Sequence, residues 1–256
     1  MNISEKSWQI FAKRMASIDS AATKKVQEFI ESYPGFSYDD PESMNALVEF
    51  SYGISTTYGE AAAELACEMY DAMAAASGVY LDPAVPALTP TYKEVNGTLR
   101  ETSKISQNDE YISSQIGRLV KRTGADTTLQ NAKRDRAEFA WVPIGDTCAF
   151  CITLASQGWQ YVSSKSFSKG HAEHIHSNCD CSYAVRFNKD TNIRGYNPQK
   201  YLDMYNDAEG RGSKAKINYM RRQAYAENKE EINAQKRSAY EKRKELNSSE
   251  AEEIKA

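Results

Sequence analysis

The sequence predicts an α+β fold that is mainly α: a helical N-terminal region, a small mixed α/β region stapled by zinc, and a charged helical C-terminal tail. Three observations predict it. Apolar residues recur at three- and four-residue steps through most of the first 75 positions, two later runs alternate or cluster like strands, and four of the five cysteines fall in two close pairs between those runs. A chain of 256 residues can bury an apolar core without cross-links, so stability alone does not require the cysteines. At 41% hydrophobic and 26% charged the composition is that of an ordinary water-soluble protein, and a net charge of -3 exerts no global pull toward nucleic acid.

In chain order, Trp8, Phe11, Met15, Ile18, Ala22, Val26 and Phe29 form one stripe of an amphipathic helix that should stop near Tyr33, before Pro34-Gly35. A second helix is announced by Asp40 as N-cap and Pro41 at the first helical position. Met44, Leu47, Ile54, Ala61, Leu65, Met69 and Met73 continue its stripe to a stop at Gly78, with Gly53 and Gly59 as expected bends. These stripes read as helix packing. Residues 79–91, VYLDPAVPALTPT, hold three of the seven prolines and cannot continue a helix, so a region boundary is placed there. Ile112, Ile116, Leu119 and Val120 mark another helix, expected to end near Gly124, with a short turn carrying Leu129 and Ala132. FAWVP then reads as a strand stopped by Pro143, and SYAVRF as a half-buried strand.

The regions expected are therefore 1–91, helical with a Pro-rich connector; 92–210, the metal-binding region; and 211–256, a basic helical or disordered tail. From Arg211 to Lys244 there are 11 Lys/Arg against 4 Glu, a surplus of +7, while the rest of the chain stands at -10. A solvated helix explains that run, and contact with nucleic acid or an acidic surface is the sharper reading. The N-terminus lacks a signal-peptide pattern and no run suits a bilayer, so a cytoplasmic product is expected. In a reducing compartment close cysteines read as thiolate ligands or reactive thiols.

The stretch HAEHIHSNCDC places all three histidines, His171, His174 and His176, beside Cys179 and Cys181. Upstream, GDTCAFC supplies Cys148-x-x-Cys151. The first pair suits a turn at a helix start; the second suits extended chain, where residues two apart point the same way. Together they predict a structural zinc site of Cys148, Cys151, Cys179 and Cys181, with His176 either supplying one of the four ligands or standing just outside them. His171 and His174 belong to an exposed polar loop in this reading. Unrelated core cysteines and a redox Cys-x-x-Cys are the competing readings, and the second leaves Cys179-x-Cys181 without a role. Enzyme readings each lack a part. His171-Ala172-Glu173 fits a zinc deaminase, but there the Cys-x-x-Cys pair follows the His-x-Glu. An HNH-type nuclease needs a later histidine, and a Cys-His hydrolase needs a thiol not already used as a ligand.

The residues NAKRDRAEFAWVPIGDTCAFCITLASQGWQYVSSKS, then HIHSNCDCSYAVRF and GYNPQKYLDMY, resemble the phage Mu F-like minor head (minor capsid) protein family, in the branch found in tailed phages and prophages of Gram-positive bacteria. The likeness rests on Arg134-Asp135, Val142-Pro143, Asp146-Thr147-Cys148, Phe150-Cys151, Leu154-Ala155-Ser156, Gly158, His176, Cys179 and Cys181. It implies a head-morphogenesis protein of the virion, at the inner capsid or portal vertex and in host cytoplasm during assembly; members are often labelled maturation proteases, but no Ser/His/Asp or Ser/Lys set suggests itself outside the cysteine and histidine cluster, so a non-enzymatic role is expected. Its implied partners are the portal, major capsid or scaffold protein, with packaged DNA through the basic tail and no membrane. The alternative is a metal-dependent nuclease or peptidase acting in head maturation or DNA packaging.

Overall fold

The computed structural model describes residues 2–3, 5–144, 147–163 and 181–230, together with 233, 234, 237, 238 and 241. Helix α1, Glu5–Ser32, buries Trp8, Phe11, Met15, Ala22 and Val26 of the expected stripe, half-buries Ile18 and Phe29, and buries Ile30, which the stripe did not include. Helix α2, Pro41–Ala76, opens on Asp40, whose carboxylate accepts 2.7 Å bonds from the Ser43 amide and hydroxyl. It closes on a left-handed Gly78 (φ 68°), with the Gly78 amide donating to Ala75 O and the Val79 amide to Ala74 O. That pairing satisfies the last carbonyls as in a Schellman motif. Neither Gly53 nor Gly59 interrupts α2. Gly59 instead makes room for the connector: a Cβ there would stand 3.2 Å from Thr89 Cγ2.

Helix α3, Tyr92–Ile105, escapes the apolar pattern because only Val95, Leu99 and Thr102 are buried. Its signal is a capping box, Thr91 and Glu94 bonding reciprocally, which was there to be read. Helix α4, Asp109–Arg134, overturns the expected stop at Gly124 and absorbs the short turn predicted after it. Gly124 is a contact glycine, not a terminator: a Cβ would lie 2.9 Å from Met15 Cε and 3.2 Å from Ala62 O. Gly117 has the same role against α1, where a Cβ would meet Thr23 and come 2.9 Å from Asp19 O. Two small residues on α4 thus admit α1 and α2.

The strands are β1 (Asn2–Ile3), β2 (Glu138–Val142), β3 (Gln160–Tyr161), β4 (Ser182–Arg186) and β5 (Asn192–Ile193). One antiparallel sheet runs β3-β2-β4, and β1 pairs in parallel with β5. Phe139–Val142 and Ser182–Val185 are buried at every position. Successive strand residues point to opposite faces, so both faces of the sheet are covered and β4 is not the half-buried strand its alternation predicts. Helices α2 and α4 pack on β4, and α5 (Ala149–Ala155) packs on β2. Two further helices follow, α6 (Pro198–Asp207) and α7 (Ser213–Glu227), both against α5.

The molecule is mainly helical with a small sheet, as predicted. One apolar cluster, with Val26, Leu47, Val95, Leu99, Ile112 and Ile116, joins α1 to α4 at one end of the bundle. A second runs from Trp8, Phe11 and Leu65 through Leu129 to Phe139, Cys151, Cys181 and Val185. The connector at 79–91 therefore joins helices of one packed body, and the core is continuous across residue 91. No described helix is long and apolar enough to cross a membrane.

Candidate metal centre

Cys148 is the N-cap of α5, in extended conformation (φ -68°, ψ 157°), and its sulfur accepts the Cys151 amide at 3.4 Å. A helix start favours negative charge, so the local fold suits a thiolate. Cys148 is exposed, whereas Cys151 and Cys181 are buried; these three and Cys67 are thiols, not disulfide sulfurs. The register of the sheet fixes where Cys181 stands relative to the chain leading to Cys148. Val142 lies opposite Ser182, so the segment that leaves β2 for Cys148 and the residue that precedes β4, Cys181, are at the same end of the sheet.

Tyr201 is on α6. It shares a hydrogen bond with Thr147 and lies within electrostatic reach of Cys181. Burial raises its phenol, the Thr147 bond acts in the opposite sense, and the Cys181 thiol pushes it up again. The Tyr183 phenol is raised as well, by burial first and then by the charges of Asp126 and Cys151. Behind α5, the Tyr196 hydroxyl donates to Ala155 O at 3.1 Å, and Gly158 (φ 62°) lies against Pro198. Sequence reasoning singled out the sulfurs and not this aromatic bracket. The quoted GYNPQKYLDMY carried the signal, since tyrosines five residues apart flank an Asn-Pro helix start.

The other proposed ligands, Cys179 and His176, lie outside the described residues, as do His171, Glu173, His174 and Asp146. Among the described residues no three His, Cys, Asp or Glu side chains are gathered as a metal-binding group. The donors that are placed fit a thiolate-binding cation by their chemistry, two of them against apolar walls and one open to solvent.

The Arg-Asp dipeptide has a different task. Arg134 Nε and Nη2 hold the Asp135 carboxylate at 2.7 and 2.8 Å, and the Tyr70 hydroxyl donates to it at 2.8 Å. The same guanidinium donates to Pro83 O at 3.1 Å and Asp82 O at 2.9 Å. The dipeptide fastens the connector and α2 to the end of α4.

The VG15 protein family matches residues 2–208, from β1 to Ala208, the residue just after α6. The chain belongs to that family. VG15 is a viral gene family, consistent with a phage protein. The VG15 match takes in both cysteine pairs, the Arg-Asp clamp and the aromatic bracket, and it ends before α7 and the basic run. No curated protein and no solved structure matches the chain.

Proposed function

We propose that this VG15 protein is a structural minor capsid protein of a tailed phage, working in head morphogenesis at the portal and inner capsid. What supports the reading is the match to a family of viral genes, together with a sheet register that puts Cys181 at the end from which β2 leads on to the Cys148-x-x-Cys151 pair. Cys148, Cys151, Cys179 and Cys181, with His176 as an alternative fourth donor, hold zinc in this reading. A saturated zinc ion supplies cohesion and no open position for chemistry. The residues do the rest: α5 presents two sulfurs, β4 begins just after the third, and Tyr201 ties α6 to Thr147, the residue before Cys148. The helical body contacts portal, capsid or scaffold, and the cations beyond residue 211 contact packaged DNA in a salt-dependent way.

The test is metal analysis of the purified full-length chain alongside variants. About one zinc per chain is expected, lost in Cys148→Ser and in Cys181→Ser together with a large fall in stability, since thiolate zinc sites contribute on the order of 10 kcal/mol in small folds. Glu173→Ala and His174→Ala are expected to leave folding and head assembly intact. A metal-free, fully folded chain sinks the staple, and loss of head maturation in either of the last two variants moves the assignment to an enzyme.

A further inference from the structure

Lys121, on α4, is a buried ammonium with weak compensation. Its side chain is 3% exposed, its Nζ makes no hydrogen bond among the described residues, and its one ion pair there is to Asp19 Oδ2 at 3.9 Å. Exposed lysines of the same molecule close on their carboxylates at 2.6 and 2.9 Å, so the approach to Asp19 is at the far limit of contact. A charge taken out of water needs closer partners than that.

The ammonium lines a cavity between α4 and the sheet, shared with Trp141 of β2 and with Cys181 and Ser182 where β4 begins. Trp141 is 3% exposed, and its Nε1 likewise meets no acceptor among the described residues. Two buried donors thus line one space, and a cysteine is part of its wall. The cavity measures about 10 Å³, room for one water and for no larger guest. The donors therefore serve a group in the wall and not a ligand held in the cavity.

The cysteine supplies such a group in the zinc reading. A zinc ion with four thiolates carries two surplus negative charges, and with three thiolates and an imidazole it carries one. Cys151 and Cys181 are each 1% exposed, which keeps part of that charge from water. Donors and charges just outside the ligands are what steady a centre of this kind.

We propose that Lys121 is the counter-charge of the cysteine centre, its ammonium offsetting the negative charge that metal and thiolates together leave over, with Trp141 Nε1 as a second donor on the same cavity. The inference rests on the zinc reading above and adds to it the residue that makes an anionic centre tolerable in the core. Asp19 acts in the reverse sense, since it draws on the same ammonium. The two members of one ion pair thus affect metal binding with opposite sign.

That opposition is the test. Zinc affinity of the full-length chain is measured by competition with a chromophoric chelator for wild type, Lys121→Met and Asp19→Asn. Lys121→Met is expected to weaken zinc binding about 10–100-fold, and Asp19→Asn to leave it equal or tighter, although both break the same pair. With cobalt in place of zinc, the sulfur-to-metal charge-transfer band should move to lower energy in Lys121→Met, because loss of a nearby positive charge raises the sulfur donor orbitals. Equal weakening in both variants reduces Lys121 to half of a structural ion pair, and unchanged affinity or an unmoved band in Lys121→Met removes it from the centre; each overturns the proposal and leaves the zinc staple standing. Should Lys121→Met fail to fold, Asp19→Asn decides alone, and weaker zinc binding there overturns the proposal. A wild type that takes up no zinc sinks the staple itself and the counter-charge with it.

Discussion

Asp135 stands where α4 ends, and its carboxylate receives both Arg134 and Tyr70. Burial pushes its titration up, yet the bonds from Arg134 and Tyr70 and the guanidinium charge outweigh burial and hold it below the ordinary carboxylate value. A lowered folded-state value means the stabilisation is complete above the unfolded value of about 3.9 and is lost as pH falls through the folded one. Thermal unfolding is therefore expected to lose stability below about pH 4, and Asp135→Asn should flatten that acid limb while lowering stability at neutral pH. An identical acid limb in the variant removes Asp135 from the account; Glu94, also held low against the opposing effect of burial by Thr91 and Arg122, shifts in the same sense and remains in both proteins. The Arg-Asp pair was visible in the sequence as part of the family resemblance, but its task was not. A dipeptide shows its own charges, while the carbonyls of Asp82 and Pro83 that Arg134 reaches lie some fifty residues away in the chain. Gly124 was misread for the same kind of reason: in sequence a glycine signals a stop, and only the approach of α1 and α2 shows it as a contact.

The connector at 79–91 shows how an element without repeating structure is held. Asn131 uses both ends of its amide on Val85, donating to its carbonyl at 2.8 Å and accepting its amide at 2.9 Å. Thr127 Oγ1 accepts the Ala87 amide at 2.9 Å, Gln130 donates to Val85 O at 2.6 Å, and Asp71 accepts the Ala84 amide at 2.9 Å. Side chains of α4 and α2 replace the ladder partner that a strand would have. Asn131→Ala is expected to cost about 1 kcal/mol, since it leaves the Val85 amide without its partner while Gln130 still holds the carbonyl. Limited proteolysis should then cut within 79–91 faster than in wild type, and equal cleavage rates would show that Asn131 does not hold the segment. Three prolines made it certain that no helix continues here, which was legible. That the segment lies along α4 was not, because its partners are polar side chains on a helix read only for its apolar stripe.

At the scale of the molecule, β1 from the N-terminus pairs with β5 near the C-terminal helices, and one apolar cluster links Trp8 to Val185. Residues 1–91 contain α1 and α2 but not α4, which covers Met15 and Leu65 from the other side. Expressed alone, that fragment is expected to lack a cooperative transition in urea, whereas the full chain should unfold its helices and sheet together. A fragment with its own sharp transition would restore the boundary at residue 91 as a division between folding units.

By itself the sequence determined the α1 and α2 stripes with their caps, both core strands, the helix start at Cys148 and the segregation of charge into the tail, because each depends on residues within a few positions of one another. The tertiary structure alone decided the length of α4, the burial of both faces of the sheet, the grip on the connector and the placing of Cys181 at the end of the sheet from which β2 leads on to Cys148. Those are contacts between distant segments, and a periodic pattern records which face of an element is buried without recording what buries it.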